Sequence, residues 1–397
     1  MVELRGFRFS VCEAAIKKPG RNDLGLIYSE VISTMAGLFT RNRVKAAPVR
    51  LDMRRIRSRK GQAIIVNSGN ANACTGEKGM RDADAMTELV AKGLNIDKCL
   101  VYVCSTGVIG TPMPMERITS SIPLLISRLG NYSSGDIASA IMTTDTFPKI
   151  VEREFRIGRT KASISGICKG AGMIRPDMAT MLCFILTDLA ITGSSLDSSL
   201  RKAVNDSFNR ITVDGDMSTN DTVLVMANGM AGNTPVEEGS RAYRIFQSVL
   251  SDVTMELSRM IVRDGEGATK VVEIEIRNAR DDREARKAAY AVANSLLVKT
   301  AIYGNDANWG RIMAALGYSG VALKEEAVDI FINGIKIVSR GMGTGRDKVQ
   351  DIFRNDKGEP LKEVKVLIDL RMGKGSGHVL TCDLSEEYVK INAEYRT

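Results

Sequence analysis

Residues 169–186 read "KGAGMIRPDMATMLCFIL", a glycine-rich and partly polar segment that leads directly into an apolar run. The continuous apolar run that begins at Met181 predicts a buried strand, because a strand covered on both faces lacks polar alternation. Thr180 stands where this strand begins. The residues alone leave two interpretations open. Either Thr180 is a β-forming residue after an ordinary "GAGM" turn, or its hydroxyl is a nucleophile.

Further secondary structure follows from similar patterns elsewhere in the chain. Runs rich in apolar and β-branched residues predict strands, namely "QAIIVNSG" (62–69), "CLVYVCSTG" (99–107), "TMLCFILTD" (180–188), "DTVLVMANG" (221–229) and "KVVEIEIRN" (270–278). Helix-like periodicity lies between them, over 80–94, 196–211, 242–264 and 282–302. The C-terminal part from 320 to 397 is rich in strand-forming runs. The chain is therefore predicted to be of the mixed α/β class.

The length of 397 residues is sufficient for several domains. We expect a catalytic α/β domain over 1–190, a middle α/β domain over 191–280, and a C-terminal α+β domain over 281–397. No apolar run approaches the 18 or so residues of a membrane-spanning helix, and the N-terminus lacks a secretory pattern. We therefore expect a cytoplasmic protein that does not contact a membrane.

The net charge of +8 is a modest excess for this length. The basic residues occur in small groups without interleaved aromatic residues, which argues against nucleic-acid binding. A solvated surface explains the charge, and anionic metabolites are compatible with it.

The seven cysteines are scattered without a C-x-x-C pair, which predicts free thiols in a reducing compartment. His378 is the single histidine, so the sequence argues against a histidine-coordinated metal and against a Ser–His–Asp triad. If Thr180 is a nucleophile, its base is then its own α-amine, released when the preceding peptide bond is cut. Such an amine titrates near about 8, and a neighbouring cation such as Lys169 would lower that pKa.

Small polar loops follow two of the predicted strands, and loops at strand ends are common places for sites. These loops belong to a set of segments that occur in order along the chain, namely "NSGNANACTG" (67–76), "STGVIGTPM" (105–113), "IMTTDT" (141–146), "KGAGMIRPDMATML" (169–182), "NRITVDGDMSTNDT" (209–222), "VRDGEGATK" (262–270), "YGNDANWGRI" (303–312) and "INAEYRT" (391–397). Read together, these segments resemble one family, the ornithine acetyltransferases, also called glutamate N-acetyltransferases, of arginine biosynthesis.

The resemblance implies a fold and a set of site residues. The fold is a layered α/β sandwich similar to that of the N-terminal-nucleophile hydrolases. The chain cuts itself between Ala179 and Thr180, which gives an α chain of 1–179 and a β chain of 180–397. Thr180 becomes the nucleophile and acetyl carrier, and Thr106 and Gly107 form the oxyanion hole. The implied substrate contacts are Thr143, Lys169, Thr180, Glu266, Asn392 and Thr397.

The resemblance also implies the reaction. An acetyl group passes from N-acetylornithine to Thr180 and then to glutamate, in a ping-pong mechanism without cofactor or metal. The α and β chains stay together and pair into a dimer of heterodimers. Whether acetyl-CoA is a second donor stays open. The alternative is a self-processing aminopeptidase or amidase, in which water is the final acceptor. The tail "INAEYRT" is expected to be ordered, anchored by Ile391, Ala393 and Tyr395, and to close the pocket near Thr180.

Overall fold

The computed structural model describes residues 2–175, 181–346, 350–355 and 357–394. The chain forms two compact units. The first comprises Met1–Asn209 and Asp216–Ile261, and the second comprises Arg210–Gly215 and Val262–Tyr395. Each unit contains helices and a sheet, which confirms the mixed α/β class. The division into three domains stays a prediction.

The first unit is built around a sheet of eight strands. Its strands are β1 (Phe7–Cys12), β2 (Leu24–Phe39), β3 (Lys60–Asn67), β4 (Val101–Ser105), β5 (Lys149–Ile157), β6 (Thr160–Lys169), β7 (Leu182–Thr187) and β8 (Thr222–Ala227). Its helices are α1 (Ala47–Arg55), α2 (Gly76–Leu94), α3 (Met115–Ser127), α4 (Ser134–Ala140), α5 (Gly193–Asp206) and α6 (Arg241–Arg263).

The strand order of this sheet is β4-β3-β2-β8-β7-β6-β5, and β1 pairs with β2. β7 runs parallel to β8 and antiparallel to β6. Every residue of β7 is buried, which confirms the buried strand predicted after Thr180. Two strands from beyond the predicted cut, β7 and β8, therefore lie between β2 and β6, which precede it.

Both faces of the sheet are covered by hydrophobic clusters, as the alternation of side chains along a strand requires. In β3, Ile64 packs in the cluster that includes Ile137 of α4. The next residue, Ile65, packs in the cluster that includes Met86 of α2. Full burial of each such side chain stabilises the fold by roughly 1.5–3 kcal/mol.

The second unit is built around a sheet with the order β12-β11-β10-β13-β9-β14. Its strands are β9 (Val271–Ala279), β10 (Asp329–Ile332), β11 (Ile335–Ser339), β12 (Met342–Gly343), β13 (Glu363–Asp369) and β14 (Gly375–Cys382). Its helices are α7 (Asp282–Ala293), α8 (Leu296–Tyr303), α9 (Trp309–Tyr318) and α10 (Glu386–Glu394). Five of these strands lie beyond residue 320, so the predicted strand-rich C-terminal part is confirmed.

The continuous helix predicted over 282–302 is wrong in its middle, where the structure has α7 and α8 with a break between them. α7 ends at Ala293, and the Ser295 side chain accepts a hydrogen bond from the Val298 N–H to begin α8. Serine at this position is a favourable helix N-cap. The apolar periodicity continues through the break because both helices pack on the same core.

Two further expectations are tested by this fold. Within the described ranges, no helix combines the length and apolarity that a bilayer-spanning segment needs. None of the seven cysteines, all of which lie in the described ranges, forms a disulfide, and five of them are buried, as predicted for reduced thiols. The exposed thiols belong to Cys74 and Cys99.

Candidate active site

The two polar loops predicted to carry function lie side by side at the ends of β3 and β4. These strands are parallel neighbours, with Asn67 opposite Ser105, so the chain leaves both at the same edge of the sheet. The Thr106 N–H donates to the Asn67 carbonyl at 3.0 Å. The Ala71 N–H donates to the Val108 carbonyl at 2.9 Å. The loops are therefore one connected structure.

Gly107 allows the two loops to approach this closely. Its φ of +133° lies in the region that side chains avoid. A Cβ atom at Gly107 would lie 2.3 Å from the carbonyl carbon of Gly69, a distance that a real contact cannot have. Glycine is thus required at this position by the backbone alone, whatever chemistry its N–H performs.

Asn220 binds both loops from the segment that precedes β8. Its side-chain Nδ2 donates to the Ala71 carbonyl at 2.7 Å and to the Ser105 carbonyl at 2.8 Å. The Thr219 hydroxyl donates to Asn220 Oδ1 at 2.6 Å and so fixes the orientation of the amide. Residues on both sides of the predicted cut therefore build this region. The sequence analysis did not single out Asn220, although it lies in a segment that carries the resemblance.

Lys169 and Thr106 meet in the interior of the first unit. Lys169 is the last residue of β6, and its Nζ donates to Thr106 Oγ1 at 3.2 Å. The exposed fractions are 5% for Lys169 and 8% for Thr106. A buried cation therefore stands beside the hydroxyl that the sequence assigned to the oxyanion hole.

Asp145 connects the Thr143 loop to the end of β6. Its carboxylate accepts hydrogen bonds from the Thr143 N–H at 3.0 Å and from the Gly170 N–H at 2.7 Å. It also forms a fully buried ion pair with Lys149, with 2.7 Å between Nζ and Oδ1. Burial raises the pKa of Asp145, but the charges of Lys169 and Lys149 and the hydrogen bonds from Lys149 and the Thr143 N–H outweigh it and lower the pKa to about 2. The sequence analysis missed Asp145, and the signal for it was the carboxylate within "TTDT".

Glu266 and Asn392 meet within the second unit. The Asn392 Nδ2 donates to Glu266 Oε2 at 2.8 Å and to the Tyr388 carbonyl at 3.0 Å. Glu266 is buried, whereas Asn392 is exposed on α10. In the tail, Ile391 is half-buried and Ala393 is exposed, so the expected anchoring by Ala393 is wrong.

The remaining predicted residues are placed as follows. Ala179, Thr180, Tyr395 and Thr397 lie outside the described residues. Thr106, Gly107, Thr143 and Lys169 belong to the first unit, and Glu266 and Asn392 to the second. His378 lies on β14 of the second unit, where its Nδ1 is 3.4 Å from a guanidinium nitrogen of Arg210.

The buried cation of Lys169 at the end of β6 lies beside the hydroxyl of Thr106 in the loop after β4, and such an arrangement can stabilise a developing negative charge. The model of the ArgJ family matches residues 8–397, and the chain therefore belongs to the ArgJ family. This confirms the resemblance to the ornithine acetyltransferases of arginine biosynthesis and, with it, the enzyme class of glutamate N-acetyltransferase.

The chain is similar over its whole length to curated proteins named arginine biosynthesis bifunctional protein ArgJ. The protein from Geobacter sulfurreducens is 52% identical over 399 residues, which covers 100% of both chains. That from Caldanaerobacter subterraneus is 47% identical, covering 99% of this chain and 97% of its own length.

Two solved structures are similar to parts of the chain. The crystal structure of arginine biosynthesis bifunctional protein ArgJ from Bacillus halodurans is 42% identical, with a TM-score of 0.51. The match covers 54% of this chain and 100% of that chain. Ornithine acetyltransferase from Mycobacterium tuberculosis, solved in complex with ornithine, is 34% identical with a TM-score of 0.38, covering 44% of this chain and 92% of that chain.

Proposed function

We propose that this chain moves the acetyl group of N-acetylornithine to glutamate, with Thr180 as the acyl carrier after self-cleavage between Ala179 and Thr180. The single observation that carries the proposal is the buried hydrogen bond from Lys169 Nζ to Thr106 Oγ1 at 3.2 Å. It supports the proposal because a buried ammonium beside a hydroxyl can stabilise a developing negative charge, and because the chain belongs to the ArgJ family.

The proposed transfer needs one base, which is the α-amine that cleavage gives to Thr180. The amine takes the hydroxyl proton as Thr180 Oγ attacks the acetyl carbon. Collapse of the tetrahedral intermediate expels ornithine, whose leaving nitrogen takes the proton from the ammonium. The amine of glutamate then attacks the acetyl-threonine ester, and the steps run in reverse order to release N-acetylglutamate.

The oxyanion of each tetrahedral intermediate is assigned to Thr106 and Gly107. Because Thr106 Oγ1 accepts from Lys169, its own hydrogen is directed elsewhere and is available to an oxyanion. The Lys169 charge strengthens that donor, since a hydroxyl that accepts from a cation is polarised. Removal of one such donor typically costs about 10²–10³ in rate.

Substrate recognition is assigned to Thr143, Lys169, Glu266, Asn392 and Thr397. Glu266 is a buried carboxylate that already accepts from an amide, and such a group suits a substrate ammonium. Lys169 suits a substrate carboxylate.

We propose also that the α and β chains remain together and pair into a dimer of heterodimers. Light scattering of the purified protein measures the mass of this assembly.

The decisive assay mixes purified protein with N-acetylornithine and glutamate and follows N-acetylglutamate. Transfer together with a new N-terminus at Thr180 by mass spectrometry is the expected result. Thr180→Ala should remove both transfer and cleavage, because the hydroxyl serves both.

Thr106→Ala should lower kcat about 100-fold, and Thr106→Ser, which keeps the hydroxyl, should remain close to wild type.

A second donor is tested by replacing N-acetylornithine with acetyl-CoA. The word bifunctional in the names of the similar proteins favours a second activity of this kind.

If free acetate appears at the same rate with and without glutamate, water is the acceptor and the self-processing amidase is the correct function. An intact chain that transfers acetyl groups would remove cleavage from the proposal.

A further inference from the structure

Asp145 is a buried carboxylate that the proposed acetyl transfer does not use, with an exposed fraction of 8%. Its Oδ1 accepts from the Gly170 N–H at 2.7 Å, and its Oδ2 accepts from the Thr143 N–H at 3.0 Å. Gly170 directly follows Lys169 in the chain. Asp145 is therefore fixed to the backbone next to the lysine that contacts Thr106.

Two lysines with buried side chains lie at this end of the β5–β6 ladder. Lys149 lies opposite Cys168, and Lys169 is the next residue of β6. Lys149 is fully buried, and Lys169 has an exposed fraction of 5%. An ammonium group is costly to bury unless a carboxylate compensates its charge. Asp145 is such a carboxylate, since its Oδ1 lies 2.7 Å from Lys149 Nζ.

The charges of Asp145 and Lys169 also act on each other. Burial raises the pKa of Asp145, and among the effects that lower it the charge of Lys169 is the largest, ahead of the charge of Lys149. An electrostatic interaction between two groups is mutual, so the ionised Asp145 favours the ammonium form of Lys169.

The protonation state of Lys169 decides the direction of its hydrogen bond with Thr106. An ammonium has three donors and no acceptor, so Thr106 Oγ1 accepts and its own hydrogen points elsewhere. A neutral amine has a lone pair and can accept the Thr106 hydrogen instead. The hydroxyl would then be occupied and could not donate to an oxyanion. The ammonium form of Lys169 therefore keeps this donor available.

We propose that Asp145 is a positioning residue for acetyl transfer, which keeps Lys169 as the ammonium that directs the Thr106 hydroxyl towards the oxyanion. The inference rests on the proposed function, in which Thr106 and Gly107 stabilise each tetrahedral intermediate. Asp145 acts through Lys169 and not on the substrate. Its two backbone hydrogen bonds hold the carboxylate in place, and its negative charge has the effect on Lys169.

The test separates the charge of Asp145 from its part in the buried ion pair. Lys149→Met is the reference protein, because it removes the second ammonium and leaves Asp145 and Lys169 unchanged. Asp145→Asn is then added, which keeps the shape of the side chain and removes its charge. The kcat for acetyl transfer from N-acetylornithine to glutamate is measured at saturating substrate and divided by the fraction of cleaved chain. Thermal unfolding checks that each variant is folded.

We expect Asp145→Asn to lower kcat at least about tenfold in the Lys149→Met protein, because the oxyanion loses a donor. The same substitution is made in a protein that carries Lys149→Met and Thr106→Ala and has no hydroxyl to direct. There it should lower kcat less than about threefold, because two changes that act through one group are not additive. Equal losses in both proteins indicate a merely structural role and overturn the proposal, as does a loss below about tenfold in the first.

Asp145→Glu in the wild-type chain keeps the carboxylate and decides the question if Asp145→Asn does not fold. A kcat more than about tenfold above that of Thr106→Ala supports the proposal, and a lower kcat overturns it. Failure of the proposed function gives different results. No acetyl transfer by the wild-type protein disproves that function, and wild-type kinetics of Thr106→Ala disprove the oxyanion hole and the inference with it.

Discussion

At the scale of single residues, Asp145 is the group on which the arrangement of the first unit depends most clearly. Its carboxylate holds two backbone N–H groups, of Thr143 and Gly170, and one buried ammonium, of Lys149. Loss of the carboxylate removes the buried ion pair with Lys149, and breaking a buried pair in this way commonly costs about 3–5 kcal/mol.

The pKa of Asp145 predicts a specific dependence of stability on pH. Because the folded-state pKa is depressed, the contribution is present above the unfolded value near 3.8 and is lost as pH falls through the folded value of about 2. The shift corresponds to about 2 kcal/mol of unfolding free energy. Urea unfolding of the single-chain Thr180→Ala protein at pH 5 and at pH 2.5 should reveal most of this loss.

The matched control for this prediction carries Asp145→Asn together with Lys149→Met, so that both partners of this ion pair are neutral. The free-energy difference between the parent and this double variant should shrink by about 2 kcal/mol as the pH falls. A difference that is the same at both pH values would show that the pKa of Asp145 is the same in the folded and the unfolded protein.

Sequence motifs predict Thr106 and Lys169 as site residues but do not single out Asp145 or Asn220, and this difference has a physical reason. Thr106 and Lys169 were assigned through motifs, and they meet in the structure at 3.2 Å. Asp145 contacts Gly170, which is 25 positions away along the chain, and Asn220 contacts Ala71, which is 149 positions away. Such contacts depend on the order of strands in the sheet, which local periodicity does not contain.

At the scale of secondary-structure elements, the helix cap at the break between α7 and α8 makes a measurable contribution to the free energy of unfolding. The Ser295 side chain accepts from the Val298 N–H at the beginning of α8. Ser295→Ala leaves that N–H without its partner and should lower the unfolding free energy by about 1 kcal/mol. Urea unfolding in the single-chain Thr180→Ala background measures this loss.

Ser295→Asp is the matched control for the cap, since aspartate accepts the same hydrogen bond and its charge suits a helix N-terminus. It should be at least as stable as the parent protein. Equal losses in both variants would mean that Ser295 contributes through packing and not as a cap.

The long strand β2 shows why some elements escaped the sequence analysis. β2 extends over Leu24–Phe39 and pairs with β1, β3 and β8 in different parts of its length. Its register with β3 shifts between Tyr28 and Ser33, and residues 30–32 there are exposed. This irregularity interrupts the apolar pattern, so that the sequence of β2 contains two short apolar runs and does not indicate one long strand.

At the scale of the whole molecule, the strand order predicts how the two products of the proposed self-cleavage would behave. The segment 1–179 supplies β2 and β6, and the segment 180–397 supplies β7 and β8, which lie between them. All residues of β7 and β8 are buried, so separation would expose strand edges and apolar side chains on both pieces.

We therefore expect both segments to elute together from a size-exclusion column in native buffer, at micromolar and at nanomolar concentration. A denaturing gel of that single peak should separate them. Thr180→Ala, as the uncut control, should give the same elution volume and one band. Separate elution of the segments from folded protein would contradict the pairing order of this sheet.

The insertion of β7 and β8 between strands of the other segment also changes the molecularity of refolding. An uncut chain closes its sheet in a first-order reaction, because the linking residues keep the partner strands at a high effective concentration. After the cut the same closure is a second-order encounter of two polypeptides, and dilution slows it. Unfolding then becomes irreversible in practice, and the lifetime of the mature enzyme is set by the height of its unfolding barrier. In a chain that cuts itself only after folding, the folded state therefore persists because unfolding is slow, and no longer because folding and unfolding are in equilibrium.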